Sequence, residues 1–233
     1  MSRFDTVAFD ADDTLWHNER LFVEAQSTLK AILTHYHDPE WVTARLYQTE
    51  MRNLPHFGYG IKGFALSMIE AAIELTEGRI TGAEIQIIID TAKTMLNADV
   101  ELFEHVPETL AQLATTHTLM LITKGDLFDQ EMKISRSGLA EHFKYIEIVS
   151  DKRIEDYSQL LRRHNIQAER FLMIGNSLRS DILPLLALGA YAVYIPYQYT
   201  WVHETAELPI DHSGFYQLQH LGQLLGLLEE LEA

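Results

Sequence analysis

The order of apolar and polar residues divides the chain into two kinds of segment. Five short runs are almost continuously apolar: Thr6-Val7-Ala8-Phe9, Leu119-Met120-Leu121-Ile122, Tyr145-Ile146-Glu147-Ile148-Val149, Phe171-Leu172-Met173-Ile174 and Tyr191-Ala192-Val193-Tyr194-Ile195. Short apolar runs without alternation predict strands covered on both faces, as in a parallel sheet. Helical patterns separate the later runs, over 107–116, 130–137, 157–164 and 181–188, and Gly189 is a suitable helix stop. Strands alternating with helices predict an α/β fold, a doubly wound, Rossmann-like parallel five-stranded sheet.

The stretch from 17 to 103 breaks that rhythm. It holds no convincing strand, only helical periodicity. Phe22, Ala25, Leu29 and Leu33 share one face, as do Phe64, Met68, Ala71 and Leu75, and Ile85, Ile88, Ala92 and Leu96. The expected organisation is an α/β core over 1–16 and 104–233 with a helical domain, 17–103, inserted into it. Residues 218–231 predict one more amphipathic helix, at the C-terminus.

Composition narrows the function. The 233 residues include 18 Lys and Arg against 34 Asp and Glu, a net charge of −16 at pH 7. Such a surface repels polyanions, so no nucleic-acid partner and no anionic membrane surface is expected. Disorder is not implied, with 47% hydrophobic and 22% charged residues. There is no cysteine, which excludes disulfides, thiolate metal sites and cysteine nucleophiles. The longest charge-free run, Ile182 to His203, has the length of a membrane span. It contains Pro184, Gly189 and Pro196, and reads better as helix, turn and buried strand. A soluble, cytoplasmic protein is the expectation. The charge is uneven: 180–233 has no Lys or Arg, whereas bases slightly outnumber acids over 124–179.

Candidate chemistry clusters just beyond the predicted strands. The first ends in Asp10-Ala11-Asp12-Asp13-Thr14-Leu15. Residues two apart in an extended chain face the same way, so Asp10 and Asp12 can address one point. Three acids in four residues repel one another unless a cation sits among them, and close oxygen ligands suit Mg²⁺. The second strand ends in Thr123-Lys124-Gly125-Asp126, where a hydroxyl and free N–H groups can hold an anion. After the third come Ser150-Asp151-Lys152-Arg153, and after the fourth Gly175-Asn176-Ser177-Leu178-Arg179-Ser180-Asp181. Taken singly, each could be an ordinary turn, a surface lysine or a capping acid. Together they fall at the carboxyl ends of successive strands, where open α/β sheets bind ligands.

This ordered set resembles the haloacid dehalogenase-like hydrolase superfamily over essentially the whole chain, 4–233. The family pattern is Asp-x-Asp-x-Thr, then Thr or Ser, then Lys, then Gly-Asp with a further acid. The resemblance implies that Asp10 is the nucleophile, forming an aspartyl-phosphate, and that Asp12 is the general acid/base. It implies that Thr123, the Lys124 N–H and Lys152 bind the phosphoryl group. Mg²⁺ would be held by Asp10, the Asp12 carbonyl, Asn176 and Asp181, the last directly or through water. The inserted helices would be a cap. The segment 55–63 is then the candidate specificity loop, with His56, Phe57, Tyr59 and Lys62 able to meet a substrate.

Two positions depart from the pattern. Asn176 stands where Asp is usual, which removes one carboxylate and predicts weaker metal binding. Lys124 stands where Asn is common; its side chain either adds a cation near the phosphate site or faces solvent, and solvent is the favoured expectation. Lys144 rivals Lys152 but precedes its strand, at the wrong end. Family dehalogenases need no metal and lack an acid at the position of Asp12, so the paired acids favour phosphate chemistry. The expected activity is Mg²⁺-dependent hydrolysis of a small soluble phosphate ester. The alternatives are a phosphomutase or phosphotransferase, a metal-independent haloacid dehalogenase, or a non-catalytic metal- or protein-binding relative.

Overall fold

A computed structural model of the chain describes residues 3–232. In chain order the elements are β1 (Thr6–Phe9), α1 (Glu19–Leu33), α2 (Pro39–Phe57), α3 (Ile61–Leu75), α4 (Gly82–Leu96), α5 (Val106–Leu113), β2 (Thr118–Lys124), α6 (Leu127–Ser137), β3 (Tyr145–Val149), α7 (Ile154–Arg163), β4 (Phe171–Gly175), α8 (Leu183–Ala187), β5 (Tyr191–Tyr194), β6 (Phe215–Gln217) and α9 (Leu224–Glu232). The strands form one sheet in the order β3-β2-β1-β4-β5-β6, and every neighbouring pair is parallel.

All five apolar runs are strands, but the sheet has six. The sixth, Phe215–Gln217, extends β5 at the edge with Ala192 opposite Phe215. It is three half-exposed residues long, too short to carry a hydrophobic pattern, and only its neighbour defines it. The helix expected over 181–188 is also divided. A wide π-type turn, Leu178–Ile182, precedes the short α8.

The β1 residues show why the sheet is covered on both sides. Val7 and Phe9 pack with Trp16, Leu110, Leu121 and Leu172 on one face. Ala8 packs with Met120, Tyr157, Phe171 and Met173 on the other. Successive strand residues point to opposite faces, so a run buried on both must be apolar throughout.

The chain divides into two compact units, 1–19 with 100–124 and 130–233, and 20–99 with 125–129. The second has its own core, in which Leu29, Leu33, Leu46, Phe64, Met68, Ile88 and Met95 meet. Two of its helices, α2 and α4, start where the sequence supplies side-chain caps. Asp38 accepts the Trp41 N–H at 2.8 Å ahead of α2, and Thr81 with Glu84 forms a capping box ahead of α4.

The segment 55–63 is not the loop expected from its glycines. Helix α2 runs through Pro55 to Phe57, and α3 starts at Ile61. Pro55 lies so near the helix end that it removes one hydrogen bond without stopping the last turn. Only Gly58–Gly60 turns the chain, with φ of +69° at Gly58 and +115° at Gly60, values that glycine accommodates. His56 and Phe57 thus close α2, Tyr59 sits in the turn, and Lys62 opens α3. The Lys62 ammonium ion-pairs with Asp126 at 2.8 Å and lies over the Phe128 ring.

Candidate active site

Register places the site. Phe9 lies opposite Leu121 on one side and Ile174 on the other. One residue further, the Asp10 N–H still donates to the Ile174 carbonyl at 2.9 Å. Asp10, Thr123 and Asn176 therefore emerge side by side at the carboxyl ends of three adjacent strands. Beyond Asp10 the chain winds into a tight turn, in which the Ala11 carbonyl accepts the Thr14 and Leu15 N–H groups. Asp13 occupies the left-handed region, φ +64°. Its carboxylate accepts the Asn18 and Glu19 N–H groups at the start of α1. Burial pushes the Asp13 carboxyl up to about 7 against those hydrogen bonds.

Lys152 is the centre of the cluster. Its side chain is 2% exposed, and its ammonium donates to Asp10 Oδ1 at 2.5 Å and to Asp181 Oδ1 at 2.8 Å. Burial alone would lower its pKa, but the two carboxylates outweigh burial and hold it well above the ordinary lysine value. Asp10 sits at the other end of that balance. Burial pushes it up, Lys152 draws it down, and Asp181 pushes it up again, to about 7. One ammonium shared by two buried carboxylates leaves a surplus of negative charge. Asp181 is further fixed by the Ser177 N–H, which donates to its second oxygen at 3.0 Å. The Thr14 hydroxyl lies 3.0 Å from Asp10 Oδ2 and 3.4 Å from Asn176 Oδ1, and so links the ends of β1 and β4. Thr123 Oγ1 is buried and has no hydrogen-bond partner among the described residues. Lys144 lies just ahead of β3, at the opposite end of the sheet from this cluster.

The expectation that the Lys124 side chain faces solvent is overturned. Its ammonium contacts Glu204 Oε1 at 2.5 Å and Ser180 Oγ at 2.8 Å. Glu204 also accepts the Ser177 and Ser180 hydroxyls, each at 2.5 Å. A cation beside a buried carboxylate is worth more there than in water, so the lysine turns inward. Glu204 ties the end of β2 to the loop after β4, across the end of β1 that lies between them. Its position, 23 residues beyond Asp181 in a loop, follows no local spacing, and no sequence signal marks it.

Burial pushes the Glu204 carboxyl up. The Lys124 ammonium and the serine hydroxyls outweigh that and hold it at about 2, well below the usual 4.5. A depressed carboxyl contributes stability above its unfolded pKa, and that contribution is lost as pH falls through the folded value. A shift of this size corresponds to about 3 kcal/mol. In urea titrations, wild type is expected to lose this increment between pH 5 and pH 2, and Glu204→Gln to lack it. Parallel curves for the two proteins would refute the assignment.

Asp12 is held by residues that also escaped the sequence reading. Lys133 Nζ approaches both its oxygens, at 2.8 and 2.7 Å. Trp16 Nε1 donates at 2.7 Å and Gln130 Nε2 at 2.8 Å. Gln130 and Lys133 lie three apart on α6 and share a face. That spacing was the available signal, but the polar face of an amphipathic helix shows the same one.

The chain is 25% identical over 247 residues to a glyceraldehyde 3-phosphate phosphatase of Pyrococcus furiosus, covering 98% of this chain and 95% of that one. It is similar to the crystal structure of a haloacid dehalogenase-like family hydrolase from Xanthomonas campestris, with TM-score 0.89 and 41% identity over 99% of this chain and 93% of that one. A 2-haloacid dehalogenase from Pseudomonas syringae shares the fold at TM-score 0.62 and 23% identity, over 98% of this chain and 99% of that one. The fold thus serves more than one chemistry, and the site must decide between them. The model of the haloacid dehalogenase-like hydrolases matches residues 4–189, and the chain belongs to that family.

Proposed function

We propose that this protein is a Mg²⁺-dependent phosphomonoester hydrolase that acts on a small soluble phosphorylated metabolite through an aspartyl-phosphate at Asp10. The observation that carries the reading is the buried hydroxyl of Thr123, unpartnered among the described residues, at the strand end beside the Asp10–Lys152 pair. A buried hydroxyl without a partner costs about 1–3 kcal/mol, and a bound phosphoryl oxygen would satisfy it.

The donor set fits a hard cation. Asp10 Oδ2 and Asn176 Oδ1 lie on either side of the Thr14 hydroxyl, Asp181 is 1% exposed, and the Asp12 carbonyl is a further candidate ligand. Among the described residues no group of three His, Cys, Asp or Glu could hold a metal. An amide and a carbonyl oxygen are therefore needed to complete the set, which suits Mg²⁺ and predicts modest affinity. When bound, the ion would offset the surplus negative charge and polarise the phosphoryl oxygens.

In this reading one Asp10 oxygen attacks phosphorus, and the bond from phosphorus to the ester oxygen breaks. Asp12 gives its proton to the departing alkoxide. Asp12, now a carboxylate, takes a proton from water, which attacks the same phosphorus. Inorganic phosphate leaves and Asp10 is regenerated. Thr123, the Lys124 N–H and Lys152 hold the phosphoryl group, so catalysis rests on positioning and charge. His56, Phe57, Tyr59 and Lys62 are proposed to select the substrate. Asp12 disfavours dehalogenation, which needs no acid at that position.

The test is release of 4-nitrophenol from its phosphate ester with Mg²⁺ and with EDTA, followed by a panel of phosphorylated metabolites. Glyceraldehyde 3-phosphate, the substrate in the name of the Pyrococcus relative, belongs in that panel. Mg²⁺-dependent turnover supports the reading. Absence of turnover on every ester, or metal-independent halide release from 2-haloacids, would overturn it. The small anionic substrate, rather than nucleic acid or membrane, is the proposed partner.

A further inference from the structure

Building on the phosphatase reading, we propose that Lys133, Gln130 and Trp16 position the Asp12 carboxylate for its proton transfers. Each oxygen of Asp12 is met twice, Oδ1 by Trp16 and Lys133 and Oδ2 by Gln130 and Lys133. Contacts from two sides fix both the rotamer and the plane of the carboxyl group. Lys133 is itself steadied, with Nζ 3.3 Å from Asn18 Oδ1. Trp16 is 1% exposed, so its ring cannot move without disturbing the core beneath the sheet.

Gln130 supplies an independent observation. It is 2% exposed, and its amide nitrogen donates to Asp12 Oδ2 and to the Lys124 carbonyl at 3.1 Å. Its Oε1 is buried with no partner among the described residues. Rotating the amide would set that oxygen against two acceptors, so Asp12 and Lys124 dictate the orientation and Oε1 stays unsatisfied. Packing for stability alone would favour an apolar side chain here. A buried acceptor left unpaired in a native structure calls for a reason, and holding Asp12 in register with the end of β2 provides one.

Proton donation matters most when the leaving group is poor. An alkoxide needs the proton, whereas 4-nitrophenolate departs without it. The readout is therefore the ratio of kcat/KM for the best alkyl ester of the metabolite panel to that for 4-nitrophenyl phosphate, both with saturating Mg²⁺. General acid catalysis contributes about 10²–10⁴-fold, so Lys133→Met is expected to lower this ratio about 30-fold. Lys133→Arg should restore most of it. Trp16→Phe keeps an aromatic side chain in the core and removes the indole donor, and the ratio should fall about 5-fold. Thermal melts check that each variant is folded. Equal losses on the two esters, or no loss, in the folded variants would overturn the positioning role and leave the phosphatase reading standing. If wild type turns over neither ester, the phosphatase reading itself fails.

Discussion

Asp10→Asn is expected to abolish turnover of every phosphate ester, by about 10⁴-fold or more, because an amide oxygen neither attacks phosphorus effectively nor forms a hydrolysable acyl-phosphate. The change is nearly isosteric, so the Thr14 contact and the register with Ile174 should persist. Stability is expected to move the other way. Burial and Asp181 push the Asp10 carboxyl up to about 7, so its ionised form is disfavoured in the fold. Replacing it by a neutral amide removes one of two carboxylates that share Lys152. In EDTA, Asp10→Asn is expected to melt no lower than wild type and to gain about 1–2 kcal/mol, as catalytic groups held in unfavourable surroundings commonly do when neutralised. Residual turnover within tenfold of wild type would place the nucleophile elsewhere. A large loss of stability would show that Asp10 is a structural partner of Lys152 first.

Lys152→Met carries the second large effect, on fold and activity together. The ammonium is 2% exposed, with Asp10 9% and Asp181 1% exposed in the same cluster. Removing one member of a buried ion pair strands the others, at a cost of about 3–5 kcal/mol. In the proposed mechanism turnover should fall steeply as well, because the charge proposed to balance Asp10 and the incoming phosphoryl group is lost. A double-mutant cycle separates the two roles. In Asp10→Asn/Lys152→Met only Asp181 is left unpaired, so the second substitution should cost less than it does in wild type. Chemical denaturation of the four proteins in EDTA measures this. Additive costs would mean that Lys152 is held by Asp181 alone and that its contact with Asp10 carries no energy.

The same residues show how far the sequence can be read. That Asp10, Thr123, Lys152 and Asn176 would lie at one sheet edge was legible because each follows an apolar run within three residues, and a parallel sheet brings such positions together; Asp181, seven residues past Ile174, is brought there by the wide turn Leu178–Ile182. The helical insertion was legible because a periodicity of 3.6 is local and needs no partner to be recognised. Strand β6 was not, because three half-exposed residues become a strand only when β5 offers its ladder. The segment 55–63 misled because glycine and proline mark turns on average, while here Pro55 fell where a helix could absorb it.

What the sequence determined by itself is the alternation of buried strands and helices, and with it the edge where the acids, the hydroxyl and the lysine converge. Both follow from short-range rules, the strand period of two, the helical repeat and the exit of ligand-binding residues at carboxyl ends. Only the tertiary structure decided who holds those residues. Lys124 meets Glu204 across 80 positions, and Asp12 meets Gln130 and Lys133 across 118 and 121. Such pairs leave no local pattern, because their geometry is set by neighbouring strand ends and not by the chain between them. Their physical consequence is nevertheless large. A charge in a dry site has to be neutralised by whatever the fold brings within reach.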